Sequence, residues 1–336
     1  MEKKSNQKTI AVFFTGGTIS MIPRGEDHGV VPSEDFTKSF SDIASSAHNV
    51  NLEFINWSNL PSPHMTPLLM FKLARDIDRM LQNPKVIGAV VLHGTDVIVE
   101  SAYMADLILT SMKPLVYTGS MRYYSEMGYD GVRNLINAIK ACLLPLPAET
   151  GVVLLMTDRI FSARDVVKIN SLNIDAFEAP ESGPVAYVAG EEVLLTRRPL
   201  KSPRKKRPHI DAAAIEPNVP LLSCYTGMDG SLIACLKKQG IAGLVMEGFG
   251  AGNVPAVIVP ILEDLIKDGI PVVLTTQCPE GGVWPLYAYP GGGLDLAARG
   301  VILGGRLSGS KARIKLMAIL GVTRSSERIR EMFRED

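Results

Sequence analysis

Short apolar runs that stop abruptly at a small polar loop recur through the first half of this chain, and the repetition narrows the folds open to it. Thr9–Phe14 gives way to Thr15-Gly-Gly-Thr18, and Val86–Leu92 to His93-Gly-Thr95-Asp96. Pro114–Tyr117 ends in Thr118-Gly-Ser120-Met121, and Gly151–Met156 leads through Thr157-Asp158 to Arg164-Asp165-Val-Val-Lys168. Helical patterns lie between them. Thr66-Pro67 reads as an N-cap with proline at the first helical position, and Leu68, Phe71, Ile77, Met80 and Leu81 follow at near-helical spacing up to Gln82. Val97–Met112 predicts a second, almost wholly apolar helix, and Val132, Leu135, Ile136, Ile139 and Leu143 mark a third. Short strands alternating with such helices imply βαβ units and a mainly parallel sheet. Residues 1–195 are therefore expected to form a larger, doubly wound α/β domain.

The pattern breaks at residues 196–219, which hold four prolines and seven Lys/Arg with almost no periodicity. Structureless stretches of that length are uncommon inside a compact domain, so this segment reads as a basic, proline-rich linker. From residue 220 to 336 the alternation resumes in a smaller α/β domain. Strands are expected at Val219–Tyr225, Gly243–Glu247 and Pro271–Thr275, with helices near Ser231–Gln239, Pro255–Lys267, Lys311–Leu320 and Ser325–Glu335.

Lys+Arg and Asp+Glu both number 35, so nothing in the charge balance draws the protein to nucleic acid or a membrane surface. The N-terminal lysines (Lys3, Lys4, Lys8) precede an apolar run too short for a signal peptide, and no run is long enough to span a bilayer. A cytoplasmic protein is expected. Cys142, Cys224, Cys235 and Cys278 form no CxxC pair and no metal-ligand spacing with the five histidines. They read as reduced, mostly buried thiols, and neither metal nor cofactor is expected.

In an open parallel sheet, ligands sit outside the carboxyl ends of the strands. These strand-end loops would then converge on one crevice, with hydroxyls, a carboxylate and a lysine suited to amide cleavage by a threonine nucleophile. Each piece has an ordinary alternative. Gly16-Gly17 can let backbone N–H groups approach an oxyanion, or the flanking threonines can cap a helix. Thr95-Asp96 can activate a nucleophile, relay a proton or hold an ammonium, or serve as an N-cap. Lys168 can be tuned for proton transfer or be a solvated surface charge.

Thr15-Gly-Gly-Thr18-Ile, His93-Gly-Thr95-Asp96, Thr118-Gly-Ser120-Met121, Arg164-Asp165-Val-Val-Lys168 and Gly250-Ala-Gly252-Asn253 follow the order and approximate spacing of the bacterial-type L-asparaginase family. Thr275-Thr-Gln277-Cys278 and Lys311-Ala-Arg313 extend the likeness, which is greatest to the cytoplasmic branch and covers nearly the whole chain. The resemblance implies hydrolysis of asparagine, in some members glutamine, through a threonine acyl-enzyme. It makes Thr18 the nucleophile, with Thr95, Asp96 and Lys168 handling protons and the attacking water. Asp96 would also bind the substrate α-ammonium and Ser62 the α-carboxylate. Ser120 and Asn253 complete the expected substrate contacts, and Gly17 and Gly94 belong to the oxyanion loops. Asn253 matches a residue that reaches a neighbouring subunit's site, which implies a homodimer or homotetramer.

Two departures from the family pattern surround the substrate. Val30, in Gly29-Val30-Val31-Pro32, stands where members usually carry a lid tyrosine, and Pro63-His64 replaces a polar residue followed by an acid. Ser20–Ser33, directly after Thr18, reads as a closing loop that excludes water. Related readings are an amidase acting on D-asparagine, glutamine or a peptide- or tRNA-linked amide, and an amino-acid-binding homologue that has lost turnover. A tRNA-dependent subunit is disfavoured by the absence of an added N-terminal domain before Thr15.

Overall fold

The computed structural model describes residues 8–24, 29–32, 50–144, 146–196 and 209–334. The chain divides into two compact units, Met1–His209 and Ile210–Asp336. Lys3 and Lys4, residues 25–28 and 33 of the expected closing loop, and residues 197–208 of the expected linker lie outside the described residues.

Among the described residues, the first unit is built on one eight-stranded sheet. In chain order its strands are β1 (Thr9–Phe14), β4 (Asn51–Asn56), β5 (Val86–Leu92), β6 (Leu115–Thr118), β7 (Val153–Met156), β8 (Arg159–Ser162), β11 (Ala186–Ala189) and β12 (Glu192–Leu195). Two small ladders stand outside it: β2 (Met21–Arg24) with β3 (Gly29–Pro32), and β9 (Val167–Lys168) with β10 (Phe177–Glu178). The spatial order is β12-β11-β8-β7-β6-β5-β1-β4. From β4 to β7 all neighbours run parallel, as the alternating pattern predicts. The chain steps from β1 outward to β4 and then returns past β1 to β5, so the order reverses beside β1. Such a reversal opens the crevice in which α/β sheets bind ligands.

Beyond β7 the sheet turns antiparallel, which the sequence pattern did not announce. The reversal is a two-residue turn at Thr157 and Asp158, both with positive φ (46° and 66°). Turns of this hand usually use glycine or asparagine, and a β-branched residue there is strained. Side chains of the third helix hold it in place. Arg133 forks onto both Asp158 carboxylate oxygens at 2.8 and 2.7 Å, Asn137 donates to the same group at 2.6 Å, and the Thr157 N–H reaches Asn134 Oδ1 at 3.3 Å.

Helices α1 (Pro67–Leu81) and α2 (Ile98–Ile108) pack together on one side of the sheet, and α3 (Gly131–Leu143) covers the other. Alternation along the strands supplies both faces: Ile10, Val12, Phe14, Val90 and Leu92 meet Leu135, Ala138 and Ile139 of α3. Thr66 caps α1 by accepting from the Leu69 N–H. The buried stripe of α1 is Met70, Leu73, Ala74, Ile77 and Leu81, while Leu68 is exposed, so the apolar face is rotated from the one expected. The second helix stops at Ile108 instead of running to Met112. Asp78 of α1 is the reason: its carboxylate accepts the Thr110 N–H and hydroxyl and the Ser111 N–H, at 2.7–3.0 Å, and draws the chain out of the helix.

The second unit carries a parallel four-stranded sheet among the described residues, β13 (Leu221–Ser223), β14 (Leu244–Gly248), β15 (Val272–Thr276) and β16 (Ile302–Leu303), in that order. Helices α4 (Ser231–Lys238), α5 (Val259–Lys267), α6 (Gly293–Ala298), α7 (Gly309–Leu320) and α8 (Ser326–Arg334) accompany it. Residues from Ile210 onward belong to this unit; Ile210, Ala212, Ile215 and Val219 are buried, and the Glu216 N–H bonds Met317 O. Cys142 and Cys224 are buried, but Cys235 and Cys278 are exposed, so only half of the thiols are core groups. No helix among the described residues is long and apolar enough to cross a membrane.

Candidate active site

The register of the parallel strands aligns Phe14 with Leu92 and Leu92 with Thr118. The three loops that follow therefore leave one edge of the sheet side by side. They then close on each other through glycines. A Cβ at Gly17 would lie 2.3 Å from Gly94 Cα, and one at Gly94 would lie 2.5 Å from Ser62 Cβ. One at Gly119 would lie 2.3 Å from His93 O, and one at Gly16 would lie 2.5 Å from the backbone of Leu60. Real Cβ atoms do not approach so closely, so only glycine permits this packing. Thr18 follows Gly17 and Thr95 follows Gly94, so both threonines leave the same backbone contact.

Thr18 opens a 3₁₀ turn (Thr18–Ser20) and is half-buried. Upstream, the Thr15 hydroxyl donates to Leu92 O, and Thr15 O accepts from the Ser58 hydroxyl and the Leu60 N–H, which ties the loop to both neighbouring strands. Thr95 is buried and Asp96 is open, with its side chain 59% exposed. Lys168 Nζ donates to Thr95 Oγ1 at 3.0 Å and to Asp96 Oδ1 at 2.9 Å, across more than seventy residues of sequence. Its own side chain is mostly buried. The lysine sits on β9, where Lys168 pairs with Phe177, and the Ile169 N–H bonds Ala176 O just beyond.

Ser62 begins a 3₁₀ turn after Pro61. Its hydroxyl accepts the Asp96 N–H at 3.3 Å and donates to Asp96 Oδ2 at 3.5 Å. Thr95, Asp96, Lys168 and Ser62 thus form one connected group. Ser120 lies on the adjoining loop, but it is buried and its hydroxyl donates to Arg122 O at 2.7 Å. Asn253 stands in the second unit, in a tight turn after β14 closed by reciprocal backbone bonds with Phe249. Val30 lies on β3, opposite Pro23.

Two residues not singled out by sequence support this group. His93 is fully buried, and burial lowers its pKa to about 4, so its imidazole is neutral near pH 7. Its Nδ1 lies 2.8 Å from Gly94 O; a carbonyl only accepts, so Nδ1 carries the proton. Tyr129 reaches from the start of α3 to bond Ile19 O, next to Thr18. Tyr129 carried no local signal, because it acts on backbone that only the fold brings close, and His93, although inside the His93-Gly-Thr95-Asp96 run, was given no role of its own.

Fold and site describe a doubly wound α/β protein in which hydroxyl, carboxylate and lysine side chains meet at the carboxyl edge of a parallel sheet. The family models described as "Asparaginase, N-terminal" and "Glutaminase/Asparaginase C-terminal domain" match residues 9–201 and 218–333. An L-asparaginase of Bacillus licheniformis is 32% identical over 316 residues, 93% of this chain and 95% of that protein. A probable L-asparaginase of Deinococcus radiodurans is 33% identical over 329 residues, 96% of each. The solved probable cytoplasmic L-asparaginase from Campylobacter jejuni superposes with a TM-score of 0.84 at 29% identity, covering 98% of this chain and 99% of that one. The chain belongs to the asparaginase family of amidohydrolases.

Proposed function

We propose that this protein hydrolyses the side-chain amide of L-asparagine to aspartate and ammonia, with Thr18 as nucleophile. The observation that carries this reading is the pair of hydrogen bonds from Lys168 to Thr95 and Asp96, on the loop that shares a glycine contact with Thr18.

The exposed Asp96 carboxylate holds the substrate α-ammonium, and Ser62, fixed to Asp96, meets the α-carboxylate. Thr18 Oγ attacks the amide carbon, and its proton leaves with the amide nitrogen as ammonia. Backbone N–H groups of the Gly17 turn or of Thr95 stabilise the oxyanion, an effect that typically contributes on the order of hundredfold or more. Water then attacks the acyl-enzyme, and the proton returns to Thr18 Oγ. Lys168 donates to Thr95 Oγ1, which leaves the Thr95 hydroxyl hydrogen free to donate to that water and orient it for attack. Dividing one difficult step into two is the gain of covalent catalysis.

We place the protein in the cytoplasm as a homo-oligomer. The solved relative described as probable cytoplasmic supports the first. The second rests on Asn253 and on an exposed apolar run in the second unit that includes Trp284, Leu286, Tyr287 and Tyr289.

The test is ammonia release from L-asparagine, D-asparagine and L-glutamine by the protein and two variants. Thr18→Val should abolish release with the fold intact, and Lys168→Met should lower kcat by about a hundredfold or more. Unchanged release by Thr18→Val would overturn the nucleophile, and a mild effect of Lys168→Met would return that lysine to a surface role.

A further inference from the structure

The Thr18 turn is held from outside the reactive group by the segment that leads into α3. The Tyr129 hydroxyl donates to Ile19 O at 2.8 Å, bridging 110 residues of sequence. Two residues on, the Tyr124 N–H of the same segment donates to Met21 O at 3.3 Å, so the turn is gripped on both flanks of Ser20. Tyr124 and Tyr129 meet edge to face at 5.5 Å. The phenol lies against the Gly131 backbone, a place only glycine leaves open: a Cβ there would lie 2.2 Å from the Tyr129 oxygen and 2.8 Å from Ile19 Cγ1. Asp130 anchors the segment, accepting from the Met121 and Arg122 N–H groups and from Asn134 Nδ2. Arg122 Nη1 holds the loop's far end at Met127 O and Gly128 O, without touching Ile19.

The geometry points to Tyr129 as a positioning residue for the nucleophile, fixing the direction of Thr18 through the Ile19 carbonyl. This rests on the reading of Thr18 given above. The hydroxyl is suited to the task. Burial first, and then the charge of Asp130, push the phenol above its ordinary range, so it stays a donor throughout the range in which the enzyme works. Thr18 contributes only its own backbone to the turn, where Thr18 O accepts the Met21 N–H. A turn this short, set after two glycines with positive φ, has little of its own to resist rotation. Reaction rates fall steeply when an attacking atom is displaced by a fraction of an ångström or more.

Tyr129→Phe removes the hydroxyl and keeps the ring. The expected result is a fall in kcat of about tenfold with KM within about twofold. Amide hydrogen exchange should quicken over residues 18–21 and stay unchanged in the core strands. Arg122→Met, which loosens the same loop without reaching Ile19, should keep kcat within about twofold of the unsubstituted enzyme. Unchanged kcat and exchange in Tyr129→Phe would overturn the proposal, as would an equal loss in Arg122→Met, which would assign the effect to the loop as a whole. Should the unsubstituted protein release no ammonia from L-asparagine, the asparaginase reading fails on its own. The exchange comparison then decides the anchor: faster exchange at 18–21 supports it, and unchanged exchange overturns it.

Discussion

His93 shows how a residue beside the reactive group can shape stability without touching substrate. Its imidazole is buried and neutral, with a pKa of about 4 against an ordinary 6.5. The unfolded chain therefore binds a proton that the folded chain refuses, so stability present above about pH 6.5 is lost as pH falls towards 4. At about 1.4 kcal/mol per unit, the loss is on the order of 3 kcal/mol across that window. Urea unfolding at pH 7 and pH 4.5 should show this slope, and His93→Asn should flatten it. A variant with the same slope would place the acid sensitivity elsewhere. The convergence of the loops was legible at this scale: Thr95, Asp96, Lys168 and Ser62 are joined by hydrogen bonds. Ser120 was less so, because the bond that turns its hydroxyl to Arg122 depends on a loop path that no spacing reveals.

At the scale of elements, apolar runs ending at glycine and threonine identified β1, β5, β6 and β7, since buried parallel strands read as continuous hydrophobic sequence. The remaining strands were harder. β4 is an edge strand of mixed polarity, β9 is two residues long, and the Thr157–Asp158 turn lacks the glycine that marks such reversals. The end of α2 was invisible for a different reason, since Asp78 imposes it from another helix. That end leads into β6 and so lies at the amino edge of the sheet, opposite the reactive loops. Asp78→Ala leaves two backbone N–H groups without their acceptor and should destabilise the fold by about 2–4 kcal/mol. The kcat of the folded enzyme should not change. A large loss of kcat at full stability would contradict this separation of edges.

For the whole molecule, two α/β units in the expected order account for nearly all the chain, and their family matches cover both. Trp284, Leu286, Tyr287 and Tyr289 are 44–65% exposed along one short stretch, an unusual amount of large apolar surface to leave in water. Light scattering should give a mass of two or four chains. Leu286→Asp combined with Tyr289→Asp should lower the mass to one chain and reduce ammonia release. A fully active single chain before substitution would end the homo-oligomer reading.

The glycine contacts that join the loops also limit how the crevice can be remodelled. Where Gly16, Gly17 and Gly119 meet their neighbours, the wall is main chain, and there is no side chain to shorten for a bulkier amide. Redesign towards larger substrates must therefore work from the Ser62–Met65 side or through added or deleted residues, while point changes at those glycines will only block the site.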